Sequence, residues 1–201
     1  MTVSLRERKK AETREALASA ALRLAVELGP DRVTVDEIAH AAGVSPRTFF
    51  NYFATKEDAI LGNTSASAPR LLEQLIARPD DELPLDAIRA AMHASVDHLQ
   101  ADPDEWIARS RLVRKDPSLS IRYAARLAAL ERELVLEIAR RTGLDADRDP
   151  YPGVIAGATM ASARVALTIW QERGPKGSLS ALLDQVFDQL AAGLPPPPRT
   201  P

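Results

Sequence analysis

The sequence contains no cysteine, which excludes disulfide frameworks, thiolate metal centres and thiol nucleophiles. Its three histidines, His40, His93 and His98, leave little material for a metal site or a catalytic triad. No Ser-His-Asp arrangement and no glycine-rich phosphate loop is recognisable. Runs of about 18 uninterrupted apolar residues are missing too, which argues against a membrane partner. The basic residues near the start are followed by no apolar stretch, so no secretory signal is expected and the reading is a cytoplasmic protein. Alternating β-branched strands and internal repeats are likewise lacking. No enzyme, no cofactor and no metal is implied by any motif.

What is present is a chain of 201 residues with 45% hydrophobic and 27% charged residues, a globular balance with enough length for a core. The net charge of −2 hides an asymmetry. Arg6, Arg8, Lys9, Lys10 and Arg14 outnumber Glu7 and Glu12 at the front, and residues 1–56 carry nine basic groups against seven acidic ones. Residues 57–201 carry seventeen against twenty-one. A basic front on an acidic body suits local contact with nucleic acid, with Arg6, Arg8, Lys9 and Lys10 as a DNA-contacting arm.

Proline marks the helix boundaries. Asp102-Pro103, Asp116-Pro117, Asp149-Pro150 and Ser45-Pro46 each place a capping acceptor before a proline that opens a helix. Between such marks lie windows rich in Ala, Leu, Arg and Glu with apolar steps of three and four, as in Tyr123, Leu127, Leu130, Leu134 and Ile138. An all-α fold of about nine helices is predicted, at about 6–28, 35–41, 46–52, 56–77, 84–101, 103–114, 117–142, 151–173 and 178–192. Within 56–77, Gly62 to Pro69 is a weak helical segment where Pro69 should kink or break the helix; a hinge and a fixed kink both stay open. Residues 195–201, PPPPRTP, read as a disordered tail.

Residues 34–53, TVDEIAHAAGVSPRTFFNYF, carry the specific signal. Thr34 with Glu37 is a capping box, Gly43 ends the first helix, Val44 plugs the turn, and Ser45-Pro46 opens the second helix. Phe49, Phe50 and Phe53 are expected to bury its inner face. Two short helices joined by a glycine-containing turn make a helix-turn-helix. The outward residues Ser45, Arg47, Thr48, Asn51 and Tyr52 then face the major groove, where Arg47 can fork onto guanine and Asn51 can pair with adenine. Such corners also occur in bundles that bind no DNA.

The run from Thr13 to Ile60 resembles the TetR family of transcriptional regulators. The resemblance rests on Glu27-Leu28-Gly29, Thr34-Val35, Ile38-Ala39, Ala41-Ala42-Gly43-Val44-Ser45, Phe49-Phe50, Tyr52-Phe53 and Thr55-Lys56-Glu57. It implies an N-terminal DNA-binding domain at residues 1–55 and a ligand-binding and dimerisation domain at 56–194, with 56–77 as a connecting helix. It also implies phosphate contacts from Thr34 and Lys56, both at helix starts. The second aromatic of the pair, commonly Tyr in the family, is Phe50 here, which removes one hydroxyl. The Phe-Phe-Asn-Tyr-Phe variant is similar to regulators common in actinobacteria, and 21 Arg against 5 Lys suits a GC-rich genome.

For the C-terminal body, the small residues Gly153, Gly157 and Ala161 at four-residue spacing, with Leu182, Val186 and Leu190, are the candidate homodimer interface. Met92, Val96, Leu99, Trp106, Leu112, Tyr123, Leu127 and Trp170 are candidate pocket residues for an unknown small-molecule effector, with His93, His98, Arg109 or Arg122 as polar fixtures. The expected function is a dimeric repressor released from a palindromic double-stranded DNA operator by a small, lipophilic ligand. A ligand-independent DNA-binding regulator and a helical-bundle enzyme or carrier remain the alternatives.

Overall fold

A computed structural model of the chain describes residues 5–62, 64–101, 103–173 and 177–194. The expected tail at 195–201 and the side chains of Leu99 and His98 lie outside the described residues. Among the described residues ten α-helices follow one another: α1 (Leu5–Leu28), α2 (Val35–Ala41), α3 (Pro46–Phe50), α4 (Lys56–Leu61), α5 (Thr64–Ile76), α6 (Pro84–Ala101), α7 (Pro103–Lys115), α8 (Pro117–Thr142), α9 (Pro150–Glu172) and α10 (Leu179–Ala191). The all-α expectation holds, and no strand occurs among the described residues.

The helix starts follow the proline logic. Pro46, Pro84, Pro103, Pro117 and Pro150 are each the first residue of a helix, where a missing N–H costs nothing. Ser45 caps α3 by accepting from the Thr48 N–H at 3.1 Å, and Asp116 caps α8 by accepting from the Leu119 N–H at 2.9 Å. Asp149 does not cap α9; its Oδ2 instead accepts from the Asp145 N–H at 2.7 Å, closing the preceding turn.

One expected helix, 56–77, is two. The chain breaks after Leu61 at Gly62, whose φ of +48° and ψ of −138° lie outside the range of ordinary L-residues. Pro69, the expected breakpoint, sits inside α5. A proline has the helical φ already and forfeits one backbone bond, whereas the Gly62 backbone cannot continue a helix at all.

By contacts the chain divides into two compact units. The first comprises Met1–Ala66 with Asp104–Arg126, so α7 and the first ten residues of α8 group with the N-terminal helices. Its core gathers Leu17 and Ala21 of α1, Ile38 and Ala39 of α2, Phe49 of α3, Ile60 and Leu61 of α4, and Leu119 of α8, all essentially solvent-free. The second comprises Ser67–Pro103 with Leu127–Pro201, where α6, α9 and α10 pack on one another. Leu75, Ile88, Leu134, Ile138, Trp170, Leu183 and Phe187 are its largest buried side chains. In that unit the buried Arg141 closes the end of α5, donating to the carbonyls of Leu75, Arg78 (3.0 Å) and Pro79 (2.8 Å) and to Glu137 at 3.0 Å.

Among the described residues, α9 is long and apolar enough by length and composition to span a membrane. Counting uninterrupted apolar runs misses it because Gly, Ser, Thr and the single Arg164 interrupt the run. Its most apolar window has a mean hydropathy of 1.3 but is only 22% buried within the protomer.

Candidate nucleic-acid interface

The corner at 34–53 is built as its residues dictate. The Thr34 hydroxyl accepts from the Glu37 N–H at 3.2 Å, while the Glu37 carboxylate accepts from the Thr34 N–H at 2.9 Å. The Thr34 hydroxyl also donates to that carboxylate at 2.8 Å, and it, together with the Thr34 N–H, holds the Glu37 carboxyl below the usual carboxylate range. Asp36 and Glu37 in the first turn complement the helix dipole. Gly43, at φ +67°, makes the turn, and the Val44 N–H bonds back to the Ala39 carbonyl at 2.9 Å while its side chain packs on the core.

On α3, Ser45, Arg47 and Asn51 are exposed, and Thr48 and Tyr52 are half-buried. Thr48 Oγ1 shares a 2.9 Å hydrogen bond with Ser45 Oγ. The helix ends at Phe50 with Asn51 as its C-cap, so Asn51 and Tyr52 occupy the turn that follows. Arg47 carries the longest polar side chain on that outer face.

Phe50 departs from the expected inward position. Phe49 is buried and Phe53 nearly so, but Phe50 is 58% exposed. It meets Phe49 edge-on, with centroids 5.4 Å apart at 87°. On a five-residue helix one position of rotation is about 100°, so adjacent aromatics cannot both face inward. The exposed Phe50 belongs to the candidate interface and is the residue that sequence reasoning left out of it. The adjacent pair of aromatics was the available signal.

Lys56 is also placed differently from a free phosphate contact. Its ammonium donates to the carbonyls of Pro30 and Asp31, both at 3.0 Å, and of Val33 at 2.9 Å. An ammonium has three protons, and here all three hold the α1–α2 turn against the start of α4. The arm residues Arg6, Arg8, Lys9 and Lys10 are exposed on the first turns of α1, with Arg8 paired to Glu12 at 3.4 Å. Arg14 lies further in: its Nη1 donates to the Tyr52 carbonyl at 2.7 Å and its guanidinium stacks 4.3 Å from the centre of the Phe53 ring.

The candidate pocket residues fall in both units. Trp106, Leu112 and Tyr123 belong to the first; Met92, Val96, Leu127 and Trp170 belong to the second. Arg109 is buried in the first unit, donating to the Ile60 carbonyl at 2.9 Å and to Glu105 at 2.5 Å. In the second unit, His93 Nε2 lies 3.0 Å from Asp184 Oδ1, which also accepts from Arg89. That arrangement holds the Asp184 carboxyl below its ordinary range, Arg89 contributing most. A hollow of about 270 Å³ is lined by Trp170, Arg173, Ser178, Leu182 and Gln185, sharing only Trp170 with the candidate pocket residues. Among the described residues no group of three or more His, Asp or Glu gathers to hold a metal ion.

Of the candidate dimer residues, Gly153 and Ala161 are exposed, and Gly157, Leu182, Val186 and Leu190 are half-buried. Val154 and Val165 are exposed as well, so the outer face of α9 is largely apolar from Gly153 to Ala161, with the exposed Arg164 one turn further on.

Comparison with known proteins agrees with this geometry. Residues 17–60 match the family described as bacterial regulatory proteins, tetR family, and residues 82–195 match the family described as the MftR C-terminal domain. The transcriptional regulator TcmR of Streptomyces glaucescens is 35% identical over 194 residues, covering 92% of this chain and 86% of that protein. A protein of Mycobacterium tuberculosis named for mycofactocin biosynthesis regulation, MftR, is 31% identical over 93% of both chains. The fold is similar to that of Thermus thermophilus FadR, a TetR-family repressor solved with lauroyl-CoA, at a TM-score of 0.58 and 24% identity over 92% of this chain and 97% of that one. The capped corner and its basic approach are therefore the front of a DNA-binding transcriptional regulator, and the chain belongs to the TetR family.

Proposed function

We propose that the protein is a homodimeric repressor that holds a palindromic operator through α3 and leaves it when a small, lipophilic ligand binds the C-terminal body. The observation that carries the DNA half is the outer face of the corner, where Ser45 and Arg47 stand exposed at the capped start of α3 and Asn51 at its end, with α2 fixed by its own Thr34 cap. Arg47 reads guanine, Asn51 reads adenine, and Phe50 offers an apolar face to a thymine methyl. Thr34, Thr48, Tyr52 and the arm Arg6, Arg8, Lys9 and Lys10 set the register on phosphates. Lys56 serves that surface by positioning it. The reading of 1–55 for DNA and 56–194 for ligand and dimer is supported by separate family matches over residues 17–60 and 82–195. A lipophilic effector is supported by the lauroyl-CoA bound to the Thermus FadR.

A gel shift with the DNA immediately upstream of the coding sequence, followed by footprinting, tests the reading. Two protected half-sites about one helical turn apart, or a multiple of it, are expected; a single unrepeated site would contradict it. Arg47→Ala is expected to lose about 1–3 kcal/mol per half-site and to relax discrimination at one base pair. Binding to a panel of single-base operator variants checks this, and an equal loss on every sequence would reassign Arg47 to a phosphate.

The dimer half rests on α9. A helix of mean hydropathy 1.3 that buries only 22% of its most apolar window needs a cover, and two copies of the Gly153, Gly157 and Ala161 face allow a close helix–helix approach. Ala161 is exposed in the protomer, so Ala161→Arg is expected to leave the fold intact. It should weaken dimerisation at least about a hundredfold by burying an unpaired charge. Sedimentation velocity over a concentration series measures it; a wild-type monomer, or an undisturbed mutant dimer, would remove α9 from the interface.

A further inference from the structure

The first unit holds a cluster of charge that the DNA-binding reading does not use. Asp58 of α4 accepts from Arg126 Nη2 of α8 at 2.8 Å, and Arg122 Nη1, one turn earlier on α8, lies 3.7 Å from the same Oδ1. The second carboxylate oxygen, Oδ2, accepts from the Thr55 hydroxyl at 2.9 Å. Arg14 of α1 completes the group. Burial and the neighbouring Arg126 depress its pKa, and Asp58 offsets part of that.

Two observations there are independent of each other. The first is charge: two guanidinium groups pair with one carboxylate, and Arg14 lies near enough to feel both Arg126 and Asp58, so cations outnumber the carboxylate in a site where Asp58 and Arg126 keep only 20% and 25% of their side-chain exposure. The second is hydrogen bonding: Arg126 Nη1 is buried and has no acceptor, the only such side-chain nitrogen or oxygen among the described residues. A buried donor on a charged group costs free energy until an acceptor reaches it. An oxyanion answers both deficits at once, because it brings negative charge and several acceptor lone pairs to a planar fork built for them.

We propose that Arg122 and Arg126, paired with Asp58, and the neighbouring Arg14 form a binding site for a carboxylate or phosphate group. Arg126 Nη1 is its inner donor and Arg122, 42% exposed, is its outer one. Arg14 ties the site to the corner, since it also holds the Tyr52 carbonyl.

The test is thermal unfolding of the full chain at constant ionic strength set with chloride, titrated with inorganic phosphate, with laurate, or with dodecanol as the uncharged control. Wild type should show a saturable rise of about 5 °C or more at a hundred times Kd with phosphate, with laurate, or with both, and none with dodecanol. The responding probe identifies the source of the oxyanion. Arg122→Gln, at an exposed position, should weaken the response at least about fivefold in Kd. Arg126→Lys, which keeps the charge but removes the second nitrogen, should do the same. No response in a wild-type protein that still shifts operator DNA overturns the site, as does an equal response in both variants. Failure to bind operator would instead count against the repressor reading.

Discussion

Gly62→Ala is expected to cost about 3–4 kcal/mol of stability, measured as a lower denaturant midpoint at unchanged slope. Two contributions add. The backbone at φ +48°, ψ −138° is one that alanine adopts only under strain, at about 1–3 kcal/mol. In addition, a Cβ at this position would stand 2.9 Å from Arg109 Nη2 and 3.1 Å from the Ala18 Cβ. Neither neighbour yields easily. Ala18 is on the buried face of α1, and Arg109 is fixed by the Ile60 carbonyl and Glu105. Such overpacking adds about 1–3 kcal/mol. Alanine at 62 therefore does not convert α4 and α5 into one stiff helix. Pro69→Ala is the cleaner probe of flexibility, because it restores a backbone donor inside α5, and it should be neutral or stabilising. A Gly62→Ala protein as stable as wild type would mean that the chain can pass from α4 to α5 by another route.

Local chemistry was readable from residue types and short spacings. The Thr34–Glu37 box, the Gly43 turn, the Ser45 cap and the five proline helix starts each involve residues within about four positions of one another. Eight of the nine expected helices accordingly end within two residues of the observed bounds. The break in the ninth was anticipated in the right segment but assigned to the wrong residue, because Pro69 signals through a lost hydrogen bond and Gly62 through a conformation. Contacts across the sequence were not readable. Lys56 reaches carbonyls 23 to 26 positions away, and Arg126 reaches Asp58 across 68. Neither pairing leaves a periodic trace. The candidate pocket was drawn from apolar residues at helical spacing, a pattern that ordinary core residues share, and those residues are divided between the two units.

Lys56→Met is expected to destabilise the first unit by about 2–3 kcal/mol and to weaken operator binding equally for all sequences, while leaving the salt dependence of binding unchanged. The stability loss follows from three charge-assisted hydrogen bonds to the carbonyls of Pro30, Asp31 and Val33, partly offset by water at the more exposed Asp31. Those carbonyls lie in the turn that leads into Thr34 and α2, so a looser turn displaces the cap and with it the angle at which α2 presents α3. The salt dependence separates this role from direct contact. A lysine that neutralises a phosphate releases a counterion, and its removal would shallow the slope of log K against log salt by about one per subunit. A lysine whose three protons already hold protein carbonyls releases none. Binding isotherms at several salt concentrations, alongside urea unfolding of the free protein, resolve the two. A slope shallower by about two per dimer with unchanged stability would show that Lys56 turns outward on DNA, and that the α1–α2 turn holds its shape without it.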